Sequence, residues 1–156
     1  MCVLDLRSNC GIIIIQADEK VKPEMKIILL EVFIMDKIKV SDYEEVLAVV
    51  GKYTEGCKVG KSDIMKPAFT DNALMYGYLN GEYYNGSIEA LYGAVDAFGA
   101  APDTLARVDV LSIEGTAAAV RVTLENWHGL SFTDFHNLIK EDGQWKIVAK
   151  VFHQYK

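Results

Sequence analysis

The chain is poor in proline, cysteine and histidine, with three of each in 156 residues. Pro23, Pro67 and Pro102 stand far apart, so long stretches are free to form uninterrupted helices or strands. Cys2, Cys10 and Cys57 are odd in number and show neither a C-x-x-C nor a paired Cys/His spacing. That excludes a disulfide framework and a structural zinc site, and it fits a reducing cytoplasm. Basic residues are outnumbered, 16 Lys and Arg against 22 Asp and Glu for a net charge of −6. No Lys/Arg cluster is interleaved with aromatics, so nucleic acid is not an expected partner. There is also no apolar run of the ~20 residues a membrane helix needs. The run from Ile27 to Met35 is broken by Glu31 and followed by no small-x-small cleavage site, so neither export nor a membrane anchor is expected.

What is present is 51% hydrophobic and 24% charged, the balance of one soluble globular domain able to bury a core. Residues 1–34 differ from the rest: they carry apolar runs without clear caps or turns, and three readings stay open. They are an extra element over a sheet edge, a disordered lead, or residues upstream of a start at Met35. The domain itself is expected over 35–156.

Ser41-Asp42-Tyr43-Glu44 reads as a capping box that starts a helix at Ser41. Val46, Leu47, Val50, Tyr53 and Cys57 then form an apolar stripe at helical spacing. Ser62-Asp63 opens a second, short helix that Pro67 limits. A strand over 73–79 turns at Asn80-Gly81, the dipeptide best suited to a type I′ hairpin, and returns through Glu82-Tyr83-Tyr84. A third helix follows Ser87, with Ile88, Leu91, Tyr92, Val95 and Phe98 on one face and Gly99 as its C′ residue. From 105 the period becomes two. Strands over 105–113, 116–127, 130–140 and 144–153 are separated by Glu114-Gly115, His128-Gly129 and Asp142-Gly143, an antiparallel meander. The order predicts an α+β domain with helices covering one face of a curved sheet.

This order, with the late stretch FTDFHNLIKEDGQWKIVAKVFH, resembles the nuclear transport factor 2-like superfamily, and within it the SnoaL-like and putative lumazine-binding branch. The resemblance covers about 36–155. It rests most on the Ser41 box, Tyr84-Asn85-Gly86 before the third helix, and the segment Asp142 to Val148. It implies a cone-shaped sheet wrapped around about three helices, an internal cavity for a small molecule, and a homodimer through the outer sheet face. It does not imply one reaction, because members isomerise, dehydrate, cyclise, open epoxides or only bind. The carboxylate-plus-tyrosine set of the ketosteroid isomerase relatives has no full counterpart in this sequence.

The candidate site lies on the last two strands. With a two-residue loop at Asp142-Gly143, Phe132 faces His153, Asp134 faces Val151 and His136 faces Ala149. Asp134, His136 and His153 then share an inward face with Leu138, Trp145, Ile147 and Val151, apolar with a few convergent polar groups, as a ligand cavity requires. A three-residue loop instead sends Asp134 and His136 to the surface beside Lys146 and Lys150. Under the first register Asp134 and His136 are candidates for acid/base work, and the aromatics Tyr53, Phe69, Tyr76, Tyr78, Trp127, Phe132 and Trp145, with His153, are candidates for ligand contact or plain core packing. Asp134, His136 and His153 also have the make-up of a two-histidine, one-carboxylate metal set, but no metal motif accompanies them and no metal is expected. No cofactor is expected either: Gly56 to Ser62 ends like a phosphate loop yet follows a helix instead of a strand. The leading expectation is a binder of a partly hydrophobic organic molecule. The alternative is a cofactor-independent isomerase, dehydratase or hydrolase using Asp134 and His136.

Overall fold

The structure is a computed structural model and describes residues 38–155. The readings of residues 1–34 lie outside the described residues. Helix α1 (Val40–Val59) presents Val46, Val50, Tyr53 and Cys57 to the core, while Leu47 is half exposed at the edge of that stripe. The helix begins one residue before Ser41. Asp42, at its third position, accepts from the Lys39 amide at 2.8 Å and takes the part expected of Glu44. Lys140 reaches from the sheet to Asp42 at 2.7 Å, tying this helix end down.

Gly60, at φ 71°, terminates α1 with its own amide and that of Lys61 both donating to the Gly56 carbonyl. A short helix α2 (Ser62–Met65) follows and runs into a 3₁₀ turn at Lys66–Ala68. Ser62 does not cap it as expected. Its amide and hydroxyl both donate to Asp96, at 2.8 and 2.7 Å, joining α2 to helix α3 (Glu89–Phe98). Those two donors hold the Asp96 carboxyl below its ordinary pKa, the amide contributing most.

Six strands, β1 (Phe69–Leu79), β2 (Glu82–Ser87), β3 (Leu105–Glu114), β4 (Ala117–Trp127), β5 (Leu130–Glu141) and β6 (Gln144–Tyr155), form one curved mixed sheet in the order β2-β1-β6-β5-β4-β3. The meander from β3 to β6 is antiparallel, and β1 joins β6 in parallel. Asn80-Gly81, His128-Gly129 and Asp142-Gly143 all have positive φ at both positions, which closes two-residue turns between paired strands. Register shifts interrupt β1/β6, β3/β4, β4/β5 and β5/β6. Each such irregularity adds local twist, and together they bend the sheet around the helices.

The shift in β6 decides the site. Glu141 pairs with Gln144 and Leu138 with Ile147, as a two-residue loop requires, but Asn137 pairs with Ala149. Val148 is the extra residue of a bulge. Beyond it every pairing differs from the straight-strand expectation: Phe132 faces Gln154, Asp134 faces Phe152 and His136 faces Lys150. The inward residues of β6 are therefore Trp145, Ile147, Lys150 and Phe152, while Val151 is 44% exposed and His153 lies on the outer face.

Gly77 of β1 lies against Phe152, and a Cβ there would run into the Phe152 carbonyl and ring. Gly77→Ala is expected to lower stability by about 1–3 kcal/mol, the usual cost of overpacking. Thermal unfolding checks this; an unchanged midpoint would mean that β1 slides freely past β6.

Candidate functional site

Asp134 carries the only buried carboxylate among the described residues, and it is fully enclosed. Strand alternation puts it on the inward face of β5 with Phe132, His136 and Leu138. Tyr53, from the third turn of the α1 stripe, donates its hydroxyl to Asp134 Oδ2 at 2.5 Å. Lys150, 4% exposed and turned inward by the bulge, places Nζ 2.9 Å from Asp134 Oδ1, an ion pair without the alignment of a hydrogen bond. The Lys150 ammonium also lies 4.5 Å from the centre of the Phe152 ring and 5.8 Å from that of Tyr53, so aromatic faces replace part of its lost hydration. Burial drives the Tyr53 pKa well above 10, and the Asp134 charge raises it further, so the hydroxyl stays protonated and donating.

His136 is also fully buried, but its ring meets the Tyr53 ring edge-on at 4.7 Å and makes no hydrogen bond among the described residues. Burial lowers its pKa to about 4, Lys150 opposes protonation as well, and Asp134 offsets only part of this. The imidazole is therefore neutral at physiological pH. It packs Tyr53 against the sheet.

A cavity of about 120 Å³ opens beside this cluster, between α1, α3, the β1–β2 hairpin and the concave side of β4 to β6. Tyr53, Trp127, Phe132 and Phe152 line it together with Lys150, the one charged side chain among the described lining residues. Asp134 and His136 stand behind this lining. On α3 the facing residues Ala90 and Ala94 are small, which leaves the room. Trp127 donates its indole N–H to the Cys57 carbonyl at 3.1 Å and so fixes one wall to the end of α1. The Cys57 thiol, pushed up to about 12 mainly by burial, is inert.

Of the expected contact residues, Tyr53, Trp127 and Phe132 border the cavity. Phe69 and Trp145 are buried in the core without lining it. Tyr76, Tyr78 and His153 are placed elsewhere: β1 directs Ala73, Met75 and Gly77 inward, which puts Tyr76 and Tyr78 on the opposite face, and the Val148 bulge does the same to His153. For that reason Asp134, His136 and His153 do not converge on a metal. His128 sits at the β4–β5 turn with its Nε2 against the Gly99 carbonyl at 3.2 Å.

Lys150 was not among the expected site residues. The trace it leaves in the sequence is a conflict of parity: Ile147 and Phe152 are both large and apolar but five apart, a spacing no straight strand places on one face.

A curved α+β sheet closed by helices over a mainly apolar cavity, with a tyrosine and a lysine at its wall and a buried carboxylate behind them, defines a small-cavity protein of the nuclear transport factor 2-like class. Residues 41–153 match the family described as "Putative lumazine-binding", and the chain belongs to it. Aldolase FrzH from Cladobotryum sp is 35% identical over 116 residues, 74% of this chain and 93% of that protein. Among solved structures, an NTF2-like protein of unknown function from Methylobacillus flagellatus KT is 34% identical with a TM-score of 0.74, over 77% of this chain and 97% of that one. A second, from Shewanella baltica OS155, is 33% identical with a TM-score of 0.73, over 78% and 99%.

Because the folded His136 protonates only near pH 4 whereas an unfolded histidine does so near pH ~6.5, the unfolded chain takes up this proton first as pH falls. The contribution of His136 is complete above pH ~6.5 and is lost toward pH 4, about 3 kcal/mol in all. Denaturant titrations across that window are expected to show the slope, and His136→Met to flatten it; an equal slope in both proteins would contradict the assignment.

Proposed function

We propose that the protein holds a small, mainly apolar organic molecule in the cavity, with an oxygen of that molecule accepting a hydrogen bond from Lys150. The observation that carries this is the position of Lys150: among the described residues it is the one cation at an apolar wall, with three donors and one carboxylate partner. Lining of this kind, apolar with few placed polar groups, is characteristic of ligand sites. The volume suits a molecule about the size of one aromatic ring, since a dry cavity of ~150 Å³ holds benzene.

The likeness to an aldolase favours a second reading, in which the bound molecule is a carbon acid. Tyr53 borders the cavity and Asp134 stands behind it, so the proton would travel by relay. The Tyr53 oxygen takes a proton from the carbon next to a carbonyl while passing its own to Asp134. The electron pair left on carbon moves onto the carbonyl oxygen, where Lys150 donates to it. The enolate then recovers the proton from Asp134 through Tyr53, or its carbon attacks the carbonyl carbon of an aldehyde or ketone, whose π electrons move to its own oxygen, and that oxygen takes the proton held by Asp134. His136, neutral and walled off by Tyr53, has no part in this scheme, and Tyr53 takes the place assigned to it from the sequence.

On the outer face, Phe135, Ile139, Val151 and Tyr155 are 41–50% exposed, which supports the homodimer expected of this class.

Ala94→Phe fills the cavity from α3 and is expected to abolish binding of a single-ring ketone such as acetophenone, followed by the NMR shift of the Trp127 indole N–H. Binding that survives in a folded Ala94→Phe protein would put the site elsewhere. For the second reading, exchange of the acetophenone methyl protons for deuterium is expected to be accelerated by the parent and to fall ~10²-fold or more in Tyr53→Phe and in Asp134→Asn, the usual contribution of a general acid–base group. No acceleration by the parent would leave a binder alone.

A further inference from the structure

We infer that the Lys150–Asp134 pair makes the cavity selective for neutral oxygen acceptors, carbonyl compounds above all, and that it rejects carboxylates of the same shape. This rests on the cavity being the binding site. A lone lysine in an apolar pocket would attract anions. Here the ammonium is 2.9 Å from a carboxylate that is itself fully enclosed, so the pair presents no net charge to the cavity. No second cation compensates an incoming anion, because Lys150 is the one charged side chain among the described lining residues.

A carboxylate entering beside Lys150 would bring two anions to one cation, and it would leave water to do so. In a weakly screened interior the repulsion from Asp134 cancels much of what Lys150 offers, and the desolvation cost remains. A neutral carbonyl meets neither penalty. It needs one donor, and the Lys150 ammonium carries three, none of them aligned as a hydrogen bond to Asp134. The Tyr53 hydroxyl is committed to Asp134 Oδ2 at 2.5 Å, which leaves the ammonium as the partner for the ligand oxygen. The same balance suits an enolate formed in place: a proton that leaves the ligand for Asp134 neutralises one anion as the other appears, so the cluster keeps its total charge.

The test compares acetophenone with benzoate, which share a ring and differ in charge, by NMR titration of the unmodified protein at pH 8. Acetophenone is expected to bind at least tenfold more tightly. Benzamide, a neutral isostere of benzoate, is expected to side with acetophenone. In Asp134→Asn the ammonium loses its counter-charge, and benzoate affinity is expected to rise tenfold or more relative to acetophenone. Benzoate binding as tightly as the neutral pair to the unmodified protein would overturn the selectivity while leaving the cavity as a site, and this comparison decides the matter even where the variant does not fold. An unchanged ratio in a folded Asp134→Asn would overturn it too. Failure of all three molecules to bind would remove the cavity reading and the selectivity with it.

Discussion

The one carboxylate buried among the described residues governs this fold. Asp134 is fully enclosed, and an isolated carboxylate in such a place would cost many kcal/mol unless it were paired or protonated. Two groups meet it from different elements, the Tyr53 hydroxyl from α1 and the Lys150 ammonium from β6. Helix and sheet are thereby locked in one relation, because a slip of either strands the charge. Removing one partner of such a pair costs ~3–5 kcal/mol, whereas an apolar replacement of all members is often neutral or stabilising. Stability therefore gives little reason to keep the trio. Its place at the wall of a cavity gives a better one.

The fold was largely legible in the sequence because its signals are local. Asn80-Gly81, His128-Gly129 and Asp142-Gly143 demand positive φ and obtain it, and the stripe Val46, Val50, Tyr53 and Cys57 needs one apolar surface and finds it. The site was half legible. Alternation along β5 puts Asp134 and His136 on one face with Phe132 and Leu138, and of the two loop lengths the shorter, which turns that face inward, is the one found. On β6 the same rule failed at Val148, where one extra residue exchanges the faces of all that follow. His153 went out and Lys150 came in. Both loop lengths considered for the hairpin assume a continuous ladder, and neither produces an inward Lys150 beside an inward Asp134.

Lysine in the middle of a strand is ordinarily a solvent-facing residue, and the pattern Ala149-Lys150-Val151 agrees with that. What overrides the pattern is tertiary. The bulge aims Lys150 at a carboxylate supplied by the neighbouring strand and at the faces of two aromatic rings. Neither the partner nor the rings can be inferred from the residues next to it. The same holds for Tyr76 and Tyr78, whose aromatic character suggests lining, whereas β1 meets the cavity through Met75 and Leu79.

The cavity persists because its walls are fixed by contacts that do not depend on filling it. Trp127 is held by the Cys57 carbonyl, and α3 is held to α2 through Asp96 and pressed at its end against the Gly60 turn, where a Cβ would collide with Gly99. To collapse the space, α3 would have to move toward β6, breaking the Asp96 bonds that hold it to α2. A larger residue at 94, which lines the space, would fill part of it. With alanines there and a charged pair opposite, empty volume is the arrangement this sequence stabilises, and a void bordered by polar groups gains from an occupant that satisfies them.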